Sequence, residues 1–341
     1  MKRITIQPLF KYSILLNTLL SPTKKNGSNY FMSGRYALEY SLLELTKKYR
    51  QFKKIYLPNI ICEEVVTIIE TMKIEIEYYN INDKLQIDTQ ELEHRLTHEL
   101  SVILVVNYFG LPSQWNQLNE IKTRKNCIFI EDNTHSLYSS LNKKDLGSYG
   151  DISFNSFRKI LPLLSGSQLI SNSQEIIFKK IDESRIPDFN EILYSLRGFK
   201  RFFMETRLNK KISYNSKYLP PKPIDIFSKT ILDGYNFDKD KIKDIRVKNY
   251  LFWHNYLINH DLTFFNDQEL NKEICPYVFP CYADSSKIVD KWINWGINNN
   301  INIISWPKYH TSTTPFINDD FKKRILCFPV NQQFDLSHII S

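Results

Sequence analysis

The sequence predicts an α/β protein built on a mainly parallel sheet, followed by a smaller α/β unit. Three observations predict it. Strand-like and helix-like segments alternate through the first half, two strand-like runs are almost wholly apolar, and the Pro-rich stretch Tyr218-Leu219-Pro220-Pro221-Lys222-Pro223 precedes a helix and a mixed tail. A large domain over residues 1–235 and a small one over 236–341 are expected, and 341 residues suffice for two cores.

Each element follows from local pattern. Lys54 to Leu57 is β-prone, and Glu63 to Met72 carries Val65, Val66 and Ile69 at helical spacing. Ile74 to Tyr79 reads as a strand, and Asp88 to Leu96 as a helix capped by Asp88. Ser101 to Val106 suits a strand covered on both faces of a parallel sheet. A polar helix is expected from about Ser113 to Arg124, then a second buried strand from Cys127 to Ile130 that ends in Glu131-Asp132. Gly147 to Asp151 is a turn, Ile152 to Phe157 a short strand, and Lys241 to Leu257 a helix. Ligands of such sheets lie beyond the carboxyl ends of the strands, which singles out Asn107 to Gly110 and Glu131 to His135.

Composition narrows the function classes. Hydrophobic residues at 42% and charged residues at 24% exclude wholesale disorder. The net charge of +8 is spread and interleaved with acids, as in Lys239-Asp240-Lys241-Ile242-Lys243-Asp244, so it favours small anionic ligands over nucleic acid. Five scattered cysteines without a C-x-x-C pair define no zinc or disulfide framework, as expected of reduced thiols in the cytoplasm. Lys11 and Asn17 interrupt the apolar stretch ending at Leu20, so a short amphipathic helix is expected rather than a signal peptide, and no segment is apolar enough to span a bilayer.

One constellation carries chemistry. An enzyme using pyridoxal phosphate (PLP) needs an amine for a Schiff base, a carboxylate at the pyridine nitrogen and donors for the phosphate. It also needs a partner for the ring hydroxyl and packing on the ring face. Asp132 follows a buried strand, where an anion keeps the pyridinium protonated, and His135 lies close enough in sequence to meet the ring hydroxyl. An Arg-Lys pair is ordinarily solvated surface. Here Arg158-Lys159 follows a β-prone run and precedes Ile160-Leu161-Pro162-Leu163-Leu164, an apolar setting that lowers an amine pKa as a Schiff-base lysine requires. Ser33-Gly34 opens a helix whose first N–H groups suit a phosphate.

In this order the motifs resemble the DegT/DnrJ-type, PLP-dependent sugar aminotransferases of fold type I. The resemblance rests on SGRYAL (Ser33 to Leu38), LPNIIC (Leu57 to Cys62), VNYFG (Val106 to Gly110) and EDNTHS (Glu131 to Ser136). It continues through LGSYGDISFNSFRK (Leu146 to Lys159), Trp306-Pro307 and ILCFPVNQQF (Ile325 to Phe334). It implies a fold type I PLP-transferase: a large domain with a mixed, mainly parallel sheet flanked by helices, plus a smaller C-terminal α/β domain. By the same resemblance Lys159 holds the cofactor, Asp132 meets the pyridine nitrogen and His135 lies near the ring hydroxyl. Ser156, Gly34 and Arg35 take the phosphate. Between Ser156 and Lys159 the chain has the compact S-F-R-K form, and Arg158 is expected to replace lost loop contacts to the phosphate. Cys62 stands where the family stacks an aromatic ring on the cofactor.

The implied function is transfer of an amino group, from glutamate as donor, to a keto-sugar nucleotide for surface polysaccharide, by a cytoplasmic homodimer. The alternatives are a keto-cyclitol aminotransferase and a degenerate relative that binds PLP or sugar nucleotide without turnover. The family's dehydratase variant has histidine at the lysine position, and Lys159 stands against that reading. Gly234-Tyr235-Asn236 resembles a phosphate asparagine given by the partner subunit, but the helix with Arg246 and Asn249 follows too soon. His94 and His98 lack a third metal ligand, and Cys275 and Cys281 read as strand or turn residues. The basic, aromatic segment Tyr194 to Arg207 is expected on the substrate side or at a subunit contact.

Overall fold

The computed structural model describes residues 3–19, 29–97, 99–181, 184–187, 189, 221–265, 270–307 and 324–338. Ile4 bridges Ile301 before the first helix, α1 (Tyr12–Leu19). There follow β1 (Asn29–Phe31), α2 (Gly34–Lys48), β2 (Lys54–Pro58), α3 (Glu63–Thr71), β3 (Glu75–Tyr79) and α4 (Thr89–Arg95). Next come β4 (Ser101–Val106), α5 (Trp115–Arg124), β5 (Cys127–Asn133), the small hairpin β6 (Ser140–Leu141) and β7 (Lys144–Asp145), and β8 (Ile152–Asn155). The single turn α6 (Phe157–Ile160) and β9 (Ser167–Ser171) complete this half.

Seven strands form one sheet in the order β1-β9-β8-β5-β4-β2-β3. The run from β8 through β5, β4 and β2 to β3 is parallel, whereas β9 and β1 join antiparallel. The sheet is therefore mixed and mainly parallel, as expected. All six residues of β4 and all seven of β5 are buried, as strands covered on both faces must be. Asp88 caps α4 by accepting from Glu91 N at 2.9 Å.

Four boundaries differ from the sequence reading. β5 runs on through Asn133, because Asp132 and Asn133 pair with Phe154 and Asn155 of β8. β8 stops at Asn155, and Ser156 turns the chain into α6, so Lys159 rides on a helical turn rather than at a strand end. The α5 helix begins at Trp115, since Ser113 N donates instead to Asn107 Oδ1 at 3.0 Å. Lys222 and Pro223, the end of the Pro-rich stretch expected to connect the domains, and Ile224 after them line the edge strand β1: Met32 N donates to Lys222 O, and Ile224 N to Tyr30 O. An edge strand has backbone groups to satisfy, and this segment satisfies them. Tyr218 to Pro220 lie outside the described residues.

The second half contributes α7 (Ile226–Gly234), α8 (Lys239–Leu257), β10 (Leu262–Phe264), β11 (Val278–Ala283), α9 (Ser286–Asn298), β12 (Ile304–Ser305) and β13 (Ile325–Pro329). Its strands form an antiparallel sheet, β10-β11-β13-β12. Alternation divides β11 and β13 between two cores. Val278, Ile325 and Cys327 join the apolar cluster around the large sheet, while Phe279, Cys281, Leu326 and Phe328 pack with Trp253 and Trp292. The small sheet thereby brings the residues just before β11 over the carboxyl ends of β4 and β5. We propose the domain boundary at 235/236, between α7 and α8. Among the described residues no helix is long and apolar enough to cross a membrane.

Candidate active site

β5 delivers Glu131 and Asp132 as neighbours, and strand geometry sends their side chains to opposite faces. Glu131 is fully buried and accepts from Asn107 Nδ2 (2.8 Å), Gly147 N (2.6 Å), Tyr149 N (2.9 Å) and Gly150 N (3.1 Å). Burial nevertheless raises its pKa, and those four donors pull the other way. It locks the turn before β8 and so sets the register from Asp151 to Ser156. Asp151 adds to the lock by accepting from Phe129 N at 2.9 Å.

On the opposite face, Asp132 accepts from Thr134 N at 2.9 Å. Lys159 Nζ donates to Thr134 Oγ1 at 3.2 Å, so Thr134 joins the two charged side chains. Burial pushes the Asp132 carboxyl up, opposed by the nearby Lys159. Burial pushes the Lys159 amine down, opposed by Cys62 and Asp132 and reinforced by Arg158. A half-buried amine of lowered pKa beside a buried carboxylate is an arrangement suited to nucleophilic and proton-transfer chemistry.

His135 is buried in an aromatic box. Its ring stacks on Phe109 (5.5 Å between centroids, 8°) and on Tyr277 (4.8 Å, 16°), and Trp306 meets its edge at 5.5 Å. Burial, helped by Lys159, holds its pKa well below the usual histidine range, so the imidazole is neutral. The half-buried Cys62, N-cap of α3, adjoins Lys159, Asp132 and Trp306, and burial pushes its thiol up to about 12. At neutral pH it is a small apolar group.

The remaining expected residues divide. Gly34 begins α2 close to the site: a Cβ there would lie 2.8 Å from the Thr134 methyl, which no ordinary side chain tolerates. Ser33, the N-cap of α2, makes no cap bond with its side chain, and its Oγ is buried without a partner among the described residues. Ser156 is buried and leads into α6. Arg35 interacts with Glu39 one turn along α2. Arg158 Nη1 donates to Gln7 Oε1 at 2.8 Å. Lys159, Asp132, His135 and Cys62 thus converge, Gly34 and Ser156 border them, and Arg158 contacts the N-terminal segment.

Sequence reasoning missed Thr134, Tyr277 and the locking role of Glu131. Thr134 lay inside a recognised motif between two residues of obvious chemistry. Tyr277 carried no signal, because its partners are distant in sequence and its flanking cysteines read only as strand or turn residues. His98 lies outside the described residues, as does Tyr194 to Arg207. No cluster of His, Cys, Asp and Glu among the described residues could hold a metal ion.

Known proteins resemble this chain. The sequence model of the DegT/DnrJ/EryC1/StrS aminotransferase family matches residues 65–182, the span containing Asp132, His135, Ser156 and Lys159. A UDP-4-amino-4,6-dideoxy-N-acetyl-beta-L-altrosamine transaminase of Campylobacter jejuni is 29% identical over 110 residues, 31% of this chain and 29% of that protein. A GDP-4-keto-6-deoxy-D-mannose 3-dehydratase of Escherichia coli O55:H7 is 28% identical over 144 residues, 41% of this chain and 37% of that protein. The matched stretches thus span about a third of these relatives' length. Helicobacter pylori PseC, an aminotransferase involved in the biosynthesis of pseudoaminic acid, superposes with a TM-score of 0.69 at 15% identity, covering 99% of this chain and 96% of its own. At that identity the likeness is one of fold, and it is the fold type I arrangement expected. The matched span, about a third of the chain, resembles the DegT/DnrJ/EryC1/StrS aminotransferase family and carries both members of the charged pair, Asp132 and Lys159.

Proposed function

We propose that this protein is a PLP-dependent aminotransferase that moves an amino group, from glutamate as donor, to a keto-sugar nucleotide in amino-sugar biosynthesis. The observation that carries the reading is the Lys159 amine, half-buried, lowered in pKa by burial and tied through Thr134 to Asp132. PLP, when bound, supplies an electron sink that lets an amino group pass from one substrate to the next.

The residues present fit that group. Asp132 is a buried carboxylate kept high in pKa for want of a full counter-charge, and a pyridinium nitrogen supplies one. His135 Nδ1 and Ser33 Oγ are buried polar atoms without a partner among the described residues. The first would meet the ring hydroxyl and the second the phosphate. Gly34, Arg35 and Ser156 would hold the phosphate at the positive end of α2 and beside α6. Arg158 would add N–H groups besides the one given to Gln7, and Arg158→Ala is expected to weaken PLP binding about tenfold by spectrophotometric titration. Unchanged affinity would confine Arg158 to its Gln7 contact. Lys159 Nζ would hold and move a proton beside the reacting carbons when PLP is bound.

The decisive experiment mixes purified protein with PLP. A visible absorption band is expected, which glutamate bleaches and a keto-sugar nucleotide restores. Protein that stays colourless would overturn the reading. Cys62, a thiol where the family places an aromatic ring, favours a second reading of cofactor binding without turnover. A band indifferent to every amino donor would support it.

The expected homodimer accompanies the first reading. α1 and α7 adjoin, Gly234 letting Thr18 approach, and expose Leu16, Leu19, Ile226 and Phe227 as the apolar surface a second copy would cover. Five free cysteines accord with a reducing, cytoplasmic setting.

A further inference from the structure

Tyr277 lies outside the segment of family match, yet its backbone is fixed from both sides. Its N–H donates to Phe109 O at 2.9 Å, and its carbonyl accepts from Arg246 Nη1 at 3.2 Å. Arg246 is fully buried and also donates to Pro276 O (2.9 Å) and, through Nε, to Gln332 Oε1 (2.8 Å). Gln332 Nε2 in turn donates to Ile160 O at 2.6 Å, on the turn that carries Lys159. One guanidinium therefore ties the tyrosine and the lysine's helix to a common frame. At its other end, the Tyr277 hydroxyl accepts from Gln7 Nε2 at 3.2 Å.

The Tyr277 ring stacks on His135, and Lys159 Nζ stands 5.5 Å from its centroid. At that distance a ring face attracts an ammonium group, most strongly where water is excluded. The other titratable or charged groups around Lys159 are Cys62 and Glu64 on α3, Asp132 and His135 at the end of β5, and Arg158 beside it on α6. Cys62 and His135 are neutral at neutral pH, and Arg158 repels. Asp132 is the main attraction, but on the reading above it is committed to the pyridine nitrogen once PLP is bound. A neutral ring keeps its attraction in both states.

We propose that Tyr277 is a positioning residue for Lys159, its ring face holding the lysine's ammonium group over the site whenever the amine is not joined to the cofactor. The role in catalysis rests on the PLP reading; the interaction itself does not. In the aminotransferase cycle the released amine must take up and return a proton, and a fixed resting place keeps it within reach of the reacting carbons.

The test uses the full-length chain stripped of any PLP by dialysis against hydroxylamine. The titration of Lys159 is read from the pH dependence of its acetylation by acetic anhydride, followed by mass spectrometry of the Lys159 peptide. Position 277 is occupied in turn by tyrosine, by phenylalanine (Tyr277→Phe), and by singly and triply fluorinated phenylalanine, which keep the ring's shape while weakening its face. Tyr277→Phe should leave the Lys159 pKa within about 0.2 unit, and fluorination should lower it stepwise by about half a unit in all. A pKa that stays constant or rises across the series would overturn the proposal. The near-isosteric series avoids the packing loss expected of Tyr277→Leu. Because the measurement needs no bound PLP, failure of the aminotransferase reading and failure of this one are distinguishable.

Discussion

The two faces of β5 treat adjacent carboxylates differently. Glu131 and Asp132 are both buried, and burial raises the pKa of each. Glu131 meets four protein donors, three of them backbone N–H groups of the Gly147–Gly150 turn. Asp132 draws its hydrogen bonds from Thr134, with the Lys159 amine nearby. The fold thus surrounds one carboxylate with donors and gives the other Thr134 alone, which on the reading proposed above leaves it for the cofactor to complete. A buried charge without full compensation is costly, and it persists where function requires it. Glu131 is a structural lock, and on the reading proposed above Asp132 is the reactive counterpart positioned by that lock.

Substitutions can break this contrast. Asp132→Asn should reduce amino-transfer turnover roughly a hundredfold or more while leaving the urea midpoint close to wild type. A stability loss matching that of the neighbouring position would erase the distinction. Glu131→Gln should cost about 2–3 kcal/mol in urea unfolding, because an amide presents N–H groups to a site built of donors. Full stability in that variant would contradict the lock.

Glu39 is an intermediate case, on a helix and short of donors, its carboxyl pushed up to about 7 by burial against the pull of Arg35. A carboxyl raised in the folded state binds its proton more tightly than in the unfolded chain. Its contribution is therefore full at acid pH and is lost as pH rises from the ordinary carboxylate range through about 7. Glu39→Gln should consequently be more stable than wild type by about 1–2 kcal/mol at pH 8 and equal to it or slightly less stable near pH 4, as read by urea melts. A pH-independent difference would show that burial is not the cause.

Much of this was readable in the sequence, and the physical reason is locality. The parallel strands announced themselves as apolar runs, and Asp132, His135 and Lys159 each sit a few residues from such a run. Element ends were less readable, because they depend on partners. β5 continues because β8 pairs with its last residues, and Lys222 to Ile224 are ordered by the edge of β1. Tyr277 and Arg246 were invisible for the same reason, taken further. Their roles arise from contacts between residues far apart in sequence, with His135 for the tyrosine and Ile160, through Gln332, for the arginine. Glu131 was named but not understood, since adjacent acids look alike until the turn that surrounds one of them is folded.

The most direct test of the site is chemical trapping. Wild-type protein incubated with PLP is reduced with borohydride, which fixes the cofactor to the amine that holds it, and the digested peptides are weighed. The pyridoxyl mass should appear on the peptide bearing Lys159 and be absent from Lys159→Ala. Label spread over other lysines, or none at all, would contradict the assignment of Lys159 as the cofactor-holding residue.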